Sequence, residues 1–512
     1  MNEIKTHITK TGESLLYFGN PDLSQLDELA LGPGDLWHSS LDQGFTNAFE
    51  DIIYQTAVYW WFLNDFEGCN QVVSWRVNPS SFVIRKKIWE QLGGFDSMFL
   101  SMEMKGIDVG CNLLRNQFGL PLYIKGLFQP EENNIEIPSN DRYLFYRKHF
   151  KIHHSIYMIY RKGLFNFFSE IKAYKYAKNH FVKKEVLPVT PRKLNPIEGT
   201  PTVSLVIPTM RRQKYTQLLL EDHKKQTYPI SQVVIVDATP EEERDASFYK
   251  QADFNFKLDV HWQTTKGSCR ARNEALEKCT GDYIIFADDD IRIQPDFVEN
   301  HIRLLQTYNA DACNGLDIMA ENVNQNLEDL ENRLNKLGEK RWHVGVAKAF
   351  SNANSCVKRA WIDRIGFNDI NFDGGYGEDS DFGMRLLKNG AVVLHNPFSA
   401  NLHLKPPTGG YRWWGSQANI LGKKRKQQPW ELNNPVKYIK PVPSPTITYG
   451  ILKHYKPHQI KEWRTKHFFI YLLKAPLKVQ LIRFLKYPYK QLQFSKSLQY
   501  AKGLLHIGER FK

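Results

Sequence analysis

Residues 282–290 read Asp-Tyr-Ile-Ile-Phe-Ala-Asp-Asp-Asp, a short apolar and aromatic run of strand type that leads directly into three consecutive carboxylates. Like charges this close repel and raise one another's pKa, so few chemistries place them at the end of a buried strand. A divalent cation removes the conflict. Hard carboxylate oxygens bind Mg²⁺ or Mn²⁺, and the same ion can hold a substrate's phosphates. An acidic turn after a strand is the plain alternative.

The flanking sequence repeats the pattern. Val203–Thr209 is a buried-type strand that carries Pro208 and Thr209 at its end, and Gln232–Asp237 is a second strand ending in an acid. Lys266-Gly267-Ser268 and Ala271-Arg272-Asn273 then lead into a helical stretch before the 284–290 strand. Strands alternating with helical segments predict parallel βαβ units, with ligands bound at the carboxyl ends of the strands. The acids fall at those ends.

This ordered set resembles the family 2 glycosyltransferases of the GT-A fold. The matching pieces are Val-Ile-Pro-Thr, the Val-Asp strand end, Ala-Arg-Asn, the Asp-x-Asp of Asp288 and Asp290, and Gly377-Glu378-Asp379. With the basic stretch near His403, the likeness covers about residues 200–420. It implies an α/β fold of Rossmann-like GT-A type and an inverting, metal-dependent transfer from a nucleoside diphosphate sugar, most simply a UDP-sugar.

The resemblance also implies roles. Asp290 would bind Mn²⁺ or Mg²⁺ directly, and Asp288 would contact the ribose or a metal-bound water, with Asp289 secondary at the variable middle position. His403 would supply a third metal ligand or a diphosphate contact, with His395 competing for that place. Pro208, Thr209, Asp237 and Arg272 would meet the nucleotide. The usual second acid after Asp237 is replaced by Ala238, so Asp237 would act alone. Asp379 would be the general base, and Glu378 would bind acceptor hydroxyls or orient it. An N-cap is the plain reading of Asp379, because Phe382, Leu386 and Leu387 follow at helical spacing; Asp381 reads as helix-terminal. Gly409, Gly410, Arg412, Trp413 and Trp414 would form a closing loop over the sugar, or else pack ordinarily.

Charge locates the remaining features. Residues 142–193 hold thirteen Lys and Arg against two acids, and residues 451–512 hold fourteen against two. Both segments interleave these charges with Phe, Tyr, Leu and Ile, a pattern that suits an anionic membrane surface. Packing of two solvated helices on the domain is the alternative, and no nucleic-acid-reading motif appears. The tail helices are expected to break at Pro476 and Pro488, and a chain ending near Pro445 is expected to keep its catalytic residues. No apolar run approaches the length of a bilayer span. Six cysteines without a Cys-x-x-Cys pair fit free thiols in a reducing cytoplasm, which would place the protein on the inner face of the cell membrane.

Residues 82–96 parallel residues 355–368, and the likeness continues from Gly106-Ile107-Asp108 to Gly377-Glu378-Asp379, an internal repeat spaced near 272 residues. The organisation read from these signals is a partial, inactive GT-A-like unit over 1–140 and a basic helical linker over 141–195. A catalytic domain over 196–420 follows, then a connector and basic helical tail over 421–512. Residues 321–340 read as a polar helical insertion. The expected partners are a nucleotide-sugar donor, a glycan or lipid-linked acceptor and the membrane surface. A nucleotidyltransferase and a catalytically silent scaffold of envelope assembly are the competing readings; Thr209-Met210-Arg211-Arg212 lacks the glycines of the former's phosphate loop.

Overall fold

The structure is a computed structural model that describes residues 4–49, 60–245, 247–250, 253–265, 267–411, 427–473 and 475–512. Its strands are β1 (Lys5–Ile8), β2 (Ser14–Phe18), β3 (Leu36–His38), β4 (Gln71–Val73), β5 (Phe82–Arg85), β6 (Pro121–Ile124) and β7 (Val203–Thr209). They continue with β8 (Gln232–Asp237), β9 (Lys257–Trp262), β10 (Tyr283–Ala287), β11 (Ile291–Ile293), β12 (Ala312–Met319), β13 (Asn354–Lys358) and β14 (Val393–His403).

An eight-stranded sheet in the order β11-β14-β12-β13-β10-β7-β8-β9 carries the catalytic segment. β10, β7, β8 and β9 run parallel. Every residue of β7, β8 and β10 is buried, the mark of parallel strands covered on both faces. Their carboxyl ends open on one edge, where Thr209, Asp237 and Asp288–Asp290 gather. The fold is α/β and of GT-A type, as the sequence predicts. The polar stretch 321–340 forms the helix Leu327–Leu337, which buries Leu330 and Leu334 against Ala400, Leu402 and Leu404 of the β14 region.

A second sheet, β1-β2-β5-β3-β6-β4, holds the N-terminal residues. Four of its strands reproduce four of the first sheet. β2-β5-β3-β6 pair antiparallel, antiparallel and parallel, and so do β10-β13-β12-β14. Each of β5 and β13 runs straight into a short helix, Lys86–Leu92 and Arg359–Ile365, which begin 273 residues apart. In that register Asp108 matches Asp381, and Asp379 matches Gly106 rather than Asp108. The sequence pairing of Asp108 with Asp379, two residues out of this register, is therefore corrected; helix Met102–Arg115 starts about a turn earlier than helix Glu378–Lys388.

The C-terminal residues fold as helices Pro445–His454, Pro457–Leu473 and Leu477–Ile507. Pro476 precedes the last helix, but Pro488 lies inside it without breaking it. A proline frees the carbonyl of residue i−4, here Phe484, and at this exposed turn water can take that bond. These helices pack on the catalytic unit and on one another: the Thr448 and Ser497 hydroxyls meet at 2.6 Å, and Trp463 lies 5.1 Å from Phe494 between ring centres. Among the described residues no helix is long and apolar enough to cross a membrane. All six cysteines are free thiols.

Candidate active site

The carboxyl edge of the large sheet opens into a cleft of about 1040 Å³. Asp288, Asp289 and Asp290 leave β10 into one wall, and Glu378 and Asp379 start the helix on another. Gly377, with φ 107°, turns the chain into that helix in a conformation that favours glycine. Pro208, Arg212, Arg272 and His403 also line the cleft. So do Tyr376, Tyr411, Lys437, Lys440 and Ser444, the last three from the proline-rich connector, which is a wall of the site rather than a tether.

The three aspartates have different surroundings. Asp288 is half-buried and accepts from Arg272 Nη2 at 2.9 Å. Asp289 is buried and accepts from Thr209 Oγ1 at 2.7 Å and from Arg212 Nη1 at 3.1 Å. Burial raises its pKa to about 7, the Asp290 charge adds to the rise, and Arg212 opposes it. Asp290 meets the same Arg212 nitrogen at 2.8 Å and His403 Nε2 at 3.2 Å. Burial works against its charge, but the His403 hydrogen bond and Arg212 hold its carboxyl below the usual range. His403 reaches Asp317 with its other nitrogen at 3.3 Å. Burial favours the neutral ring, yet the hydrogen bonds to Asp290 and Asp317 dominate and raise its pKa to about 10.

Asp288, Asp290 and His403 each offer a ligand atom, and these atoms lie within 4.8 Å of one another. Two carboxylate oxygens and one imidazole nitrogen, gathered this closely, fit a single Mn²⁺ or Mg²⁺ ion. His395 is not in this group; it is half-buried beside His343, with ring centres 5.0 Å apart.

The other anticipated residues divide. Pro208 and Arg272 line the cleft, whereas Thr209 and Asp237 lie behind its wall. Asp237 is buried and accepts from Tyr249 Oη at 2.7 Å and from the Thr239 amide at 2.8 Å, so it braces the loop after β8. Arg272 is buried between Asp288 and the Glu378–Asp379 pair, whose charges outweigh its desolvation and strengthen its positive charge. Its Nε and Nη1 are buried with no hydrogen-bond partner among the described residues. Asp379 accepts a hydrogen bond from Asn352 Nδ2. Asp381 is buried in the helix and pairs with Arg385 at 2.9 Å, Lys453 at 2.6 Å and His454 at 2.8 Å, a helix-terminal role and not a cleft one. Lys266 and the Arg412-Trp413-Trp414 part of the anticipated closing loop lie outside the described residues.

Sequence reasoning passed over Arg212 and Asn352. Arg212 sits three residues after Thr209, at the carboxyl end of β7, and that position was its signal. Nothing in the sequence marks Asn352, which approaches Asp379 only through the turn before β13.

Residues 204–366 match the model of glycosyl transferase family 2. The segment is a family 2 glycosyltransferase domain. The chondroitin synthase of Escherichia coli is 23% identical over 269 residues, 44% of this chain and 37% of that protein. The chondroitin synthase of Pasteurella multocida (strain Pm70) is 21% identical over 258 residues, 42% of this chain and 26% of its own. The chain thus spans about a third of the length of the first curated relatives it matches. Among solved structures, S. aureus TarS residues 1–349 in complex with UDP-GlcNAc is 15% identical, with a TM-score of 0.37, over 59% of this chain and 81% of that one. The fold assignment here rests on the strand order and the matched segment of this glycosyltransferase domain.

Proposed function

We propose that this chain transfers a sugar, with inversion, from a nucleoside diphosphate donor, UDP-linked for preference, to a glycan or lipid-linked acceptor of a bacterial surface polysaccharide. The observation that carries the reading is one cleft in which the Asp288–Asp290–His403 group faces Glu378 and Asp379, with Arg272 between them. Asp288, Asp290 and His403 would hold Mn²⁺ or Mg²⁺. Such an ion, when bound, supplies Lewis-acid neutralisation of the diphosphate leaving group.

The chain's own residues do the rest. Arg272 turns its unbonded Nε–H and Nη1–H toward donor phosphate, and Arg212 balances the acid cluster from behind. Asp379 accepts the proton of the acceptor hydroxyl, held in place by Asn352, while Glu378 binds neighbouring hydroxyls. A single base opposite the leaving group gives one in-line displacement and hence inversion. Tyr376, Tyr411 and the 437–445 wall exclude water from the sugar.

The reading includes an anionic membrane as a partner, on the cytoplasmic face. Its support is the outer face of helix Leu477–Ile507, where Leu477, Leu481 and Leu485 are 80%, 70% and 84% exposed. Spaced by four residues, they form an apolar stripe, and Lys478, Arg483 and Lys486 lie among them. A screen of nucleotide sugars for nucleotide release, with Mn²⁺, Mg²⁺ or EDTA, tests the central claim. Turnover of one donor that disappears in EDTA and returns with Mn²⁺ is expected. Full turnover in chelator, or none with any donor, would overturn it.

A further inference from the structure

The two halves of the chain share a side-chain device as well as a strand order. In the catalytic half, Lys453 Nζ bridges Asp369 at 3.0 Å and Asp381 at 2.6 Å, and His454 Nε2 meets Asp381 at 2.8 Å. In the N-terminal half, Lys148 Nζ bridges Asp96 at 2.8 Å and Asp108 at 2.7 Å, and His149 Nε2 meets Asp108 at 2.8 Å. Asp96 and Asp369 correspond in the same register as Asp108 and Asp381. Each lysine also stands over a phenylalanine of the bridged segment, Phe99 at 5.4 Å and Phe372 at 5.7 Å from the ring centre. Each Lys-His pair ends a helix, Ser139–His149 or Pro445–His454.

The device does different work in the two places. In the catalytic half the bridged segment 369–381 contains Gly374, Gly375, Tyr376, Glu378 and Asp379, all at the cleft, and Lys453 ties its two ends together. In the N-terminal half the position of Asp379 is occupied by Gly106, where a side chain would collide with the Val77 carbonyl, so the same clamp there holds no acid. Gly374, Gly375 and Gly377 bring no side chains of their own to the turn before Glu378, whereas Ile370, Phe372 and Asp373 ahead of them are buried. The segment is held by Lys453 at its two ends, by the Tyr449 hydroxyl on Asp369 at 2.7 Å, by the Cys269 amide and Arg270 on Asp373 at 2.7 and 2.8 Å, and by Thr446 Oγ1, which accepts from the Tyr376 amide at 2.9 Å.

We propose that Lys453 is a positioning residue for Asp379: by joining Asp369 to Asp381 it fixes the first helical turn that presents the base to the acceptor. The proposal rests on the reading of Asp379 as that base. A misplacement of about 1 Å in a reacting group can cost about a hundredfold in rate. The clamp itself can be loosened without emptying its surroundings, since Asp381 keeps Arg385 and His454, and Asp369 keeps Tyr449.

The duplication provides its own control. Lys453→Met and Lys148→Met remove the same bridge from the two halves, and each variant is measured for thermal midpoint, UDP affinity in Mn²⁺ and kcat on the donor selected by the screen above. Both should lower the midpoint, Lys453→Met by the larger amount, since Lys453 also loses Glu509 at 3.0 Å while Asp96 keeps Lys184 at 3.0 Å. Lys453→Met should lower kcat at least tenfold with UDP affinity within twofold, while Lys148→Met leaves kcat within twofold. Lys453→Arg, which keeps the charge with different reach, carries the same comparison if Lys453→Met does not fold. Unchanged kcat in the Lys453 variants, or an equal loss in Lys148→Met, would overturn the proposal. Near-normal turnover of Asp379→Asn would instead overturn the base assignment, and the two failures are distinct.

Discussion

Arg272 Nη2 lies 2.9 Å from Asp288 Oδ1 and closes the exposed rim of the acid cluster. Among the proposed metal ligands Asp288 is the one whose loss should disturb the fold least, because Glu378 and Asp379 still balance the buried Arg272. Asp288→Ala should keep the thermal midpoint within a few degrees, weaken Mn²⁺ binding measured by calorimetry at least tenfold, and abolish transfer. Asp290→Ala should do the same to Mn²⁺ but also lower the midpoint, because it removes the buried carboxylate that Arg212 and His403 share and leaves only Asp289 and Asp317 to balance them. Equal Mn²⁺ affinity in both variants and the parent would remove the metal assignment.

Asp379→Asn is nearly isosteric, and it leaves the helix start alone because Gly377, not Asp379, holds the N-cap position. Turnover should fall by roughly a hundredfold or more while UDP affinity persists, since general-base catalysis contributes on that order. Steady-state kinetics beside a UDP titration distinguish this outcome from a purely structural role, which would leave kcat close to the parent.

The stripe on helix Leu477–Ile507 predicts lipid binding of mixed character. The protein should sediment with phosphatidylglycerol vesicles at low salt and less so at high salt, as screening shortens the reach of its lysines. Leu481→Asp with Leu485→Asp should weaken that binding strongly without lowering the thermal midpoint, because both side chains face outward. Undiminished sedimentation of the double variant would assign the surface elsewhere.

A chain ending at Ser444 should be inactive. It lacks Thr446, Tyr449, Lys453 and His454, which hold the 369–381 segment, and Arg510, whose Nε bonds Asn371 at 2.9 Å. This reverses what position along the sequence suggests, since no cleft acid lies beyond His403. Donor turnover by the shortened chain at the parent's rate would show that the tail is dispensable.

The clamps should fail in acid. Burial alone would raise the Asp96 carboxyl, but the hydrogen bond and charge of Lys148 outweigh it and hold the pKa at about 2. A depressed carboxyl contributes stability that is complete above its unfolded pKa and disappears as pH falls through the folded one. The difference in thermal midpoint between the parent and Asp96→Asn should thus be largest above about pH 5 and shrink steadily toward pH 2. A difference that does not change with pH would separate Asp96 from this linkage.

How much of this was legible from the sequence follows the range of the forces involved. Buried parallel strands announce themselves as continuous apolar runs, so β7, β8 and β10 and the acids at their ends could be read directly. Asp288, Asp290 and His403 come together across 115 residues as the resemblance implied, because strand ends of one sheet share an edge. Asp237 could be placed but not oriented: its hydrogen bond to Tyr249 depends on a loop whose path no local pattern gives. The Asp108 pairing slipped because aligned letters ignore that one helix begins a turn before its counterpart. The roles of Lys453 and Thr446 were illegible, since a lysine and a threonine in a basic tail look like any others until the tail is folded back on the catalytic loop.

That folding back sets a schedule for synthesis. The Ile370 amide bonds to the Arg510 carbonyl, and the Arg510 amide bonds to Asp369 across a separation of 141 residues. On a ribosome moving at 5–20 residues per second, the catalytic loop waits on the order of ten seconds for the strand of chain that completes it. During that interval the eight-stranded sheet can already assemble, but its acid cluster and the Glu378–Asp379 turn are not yet fixed opposite each other. The 369–381 loop is complete only once the C-terminal helices have been made.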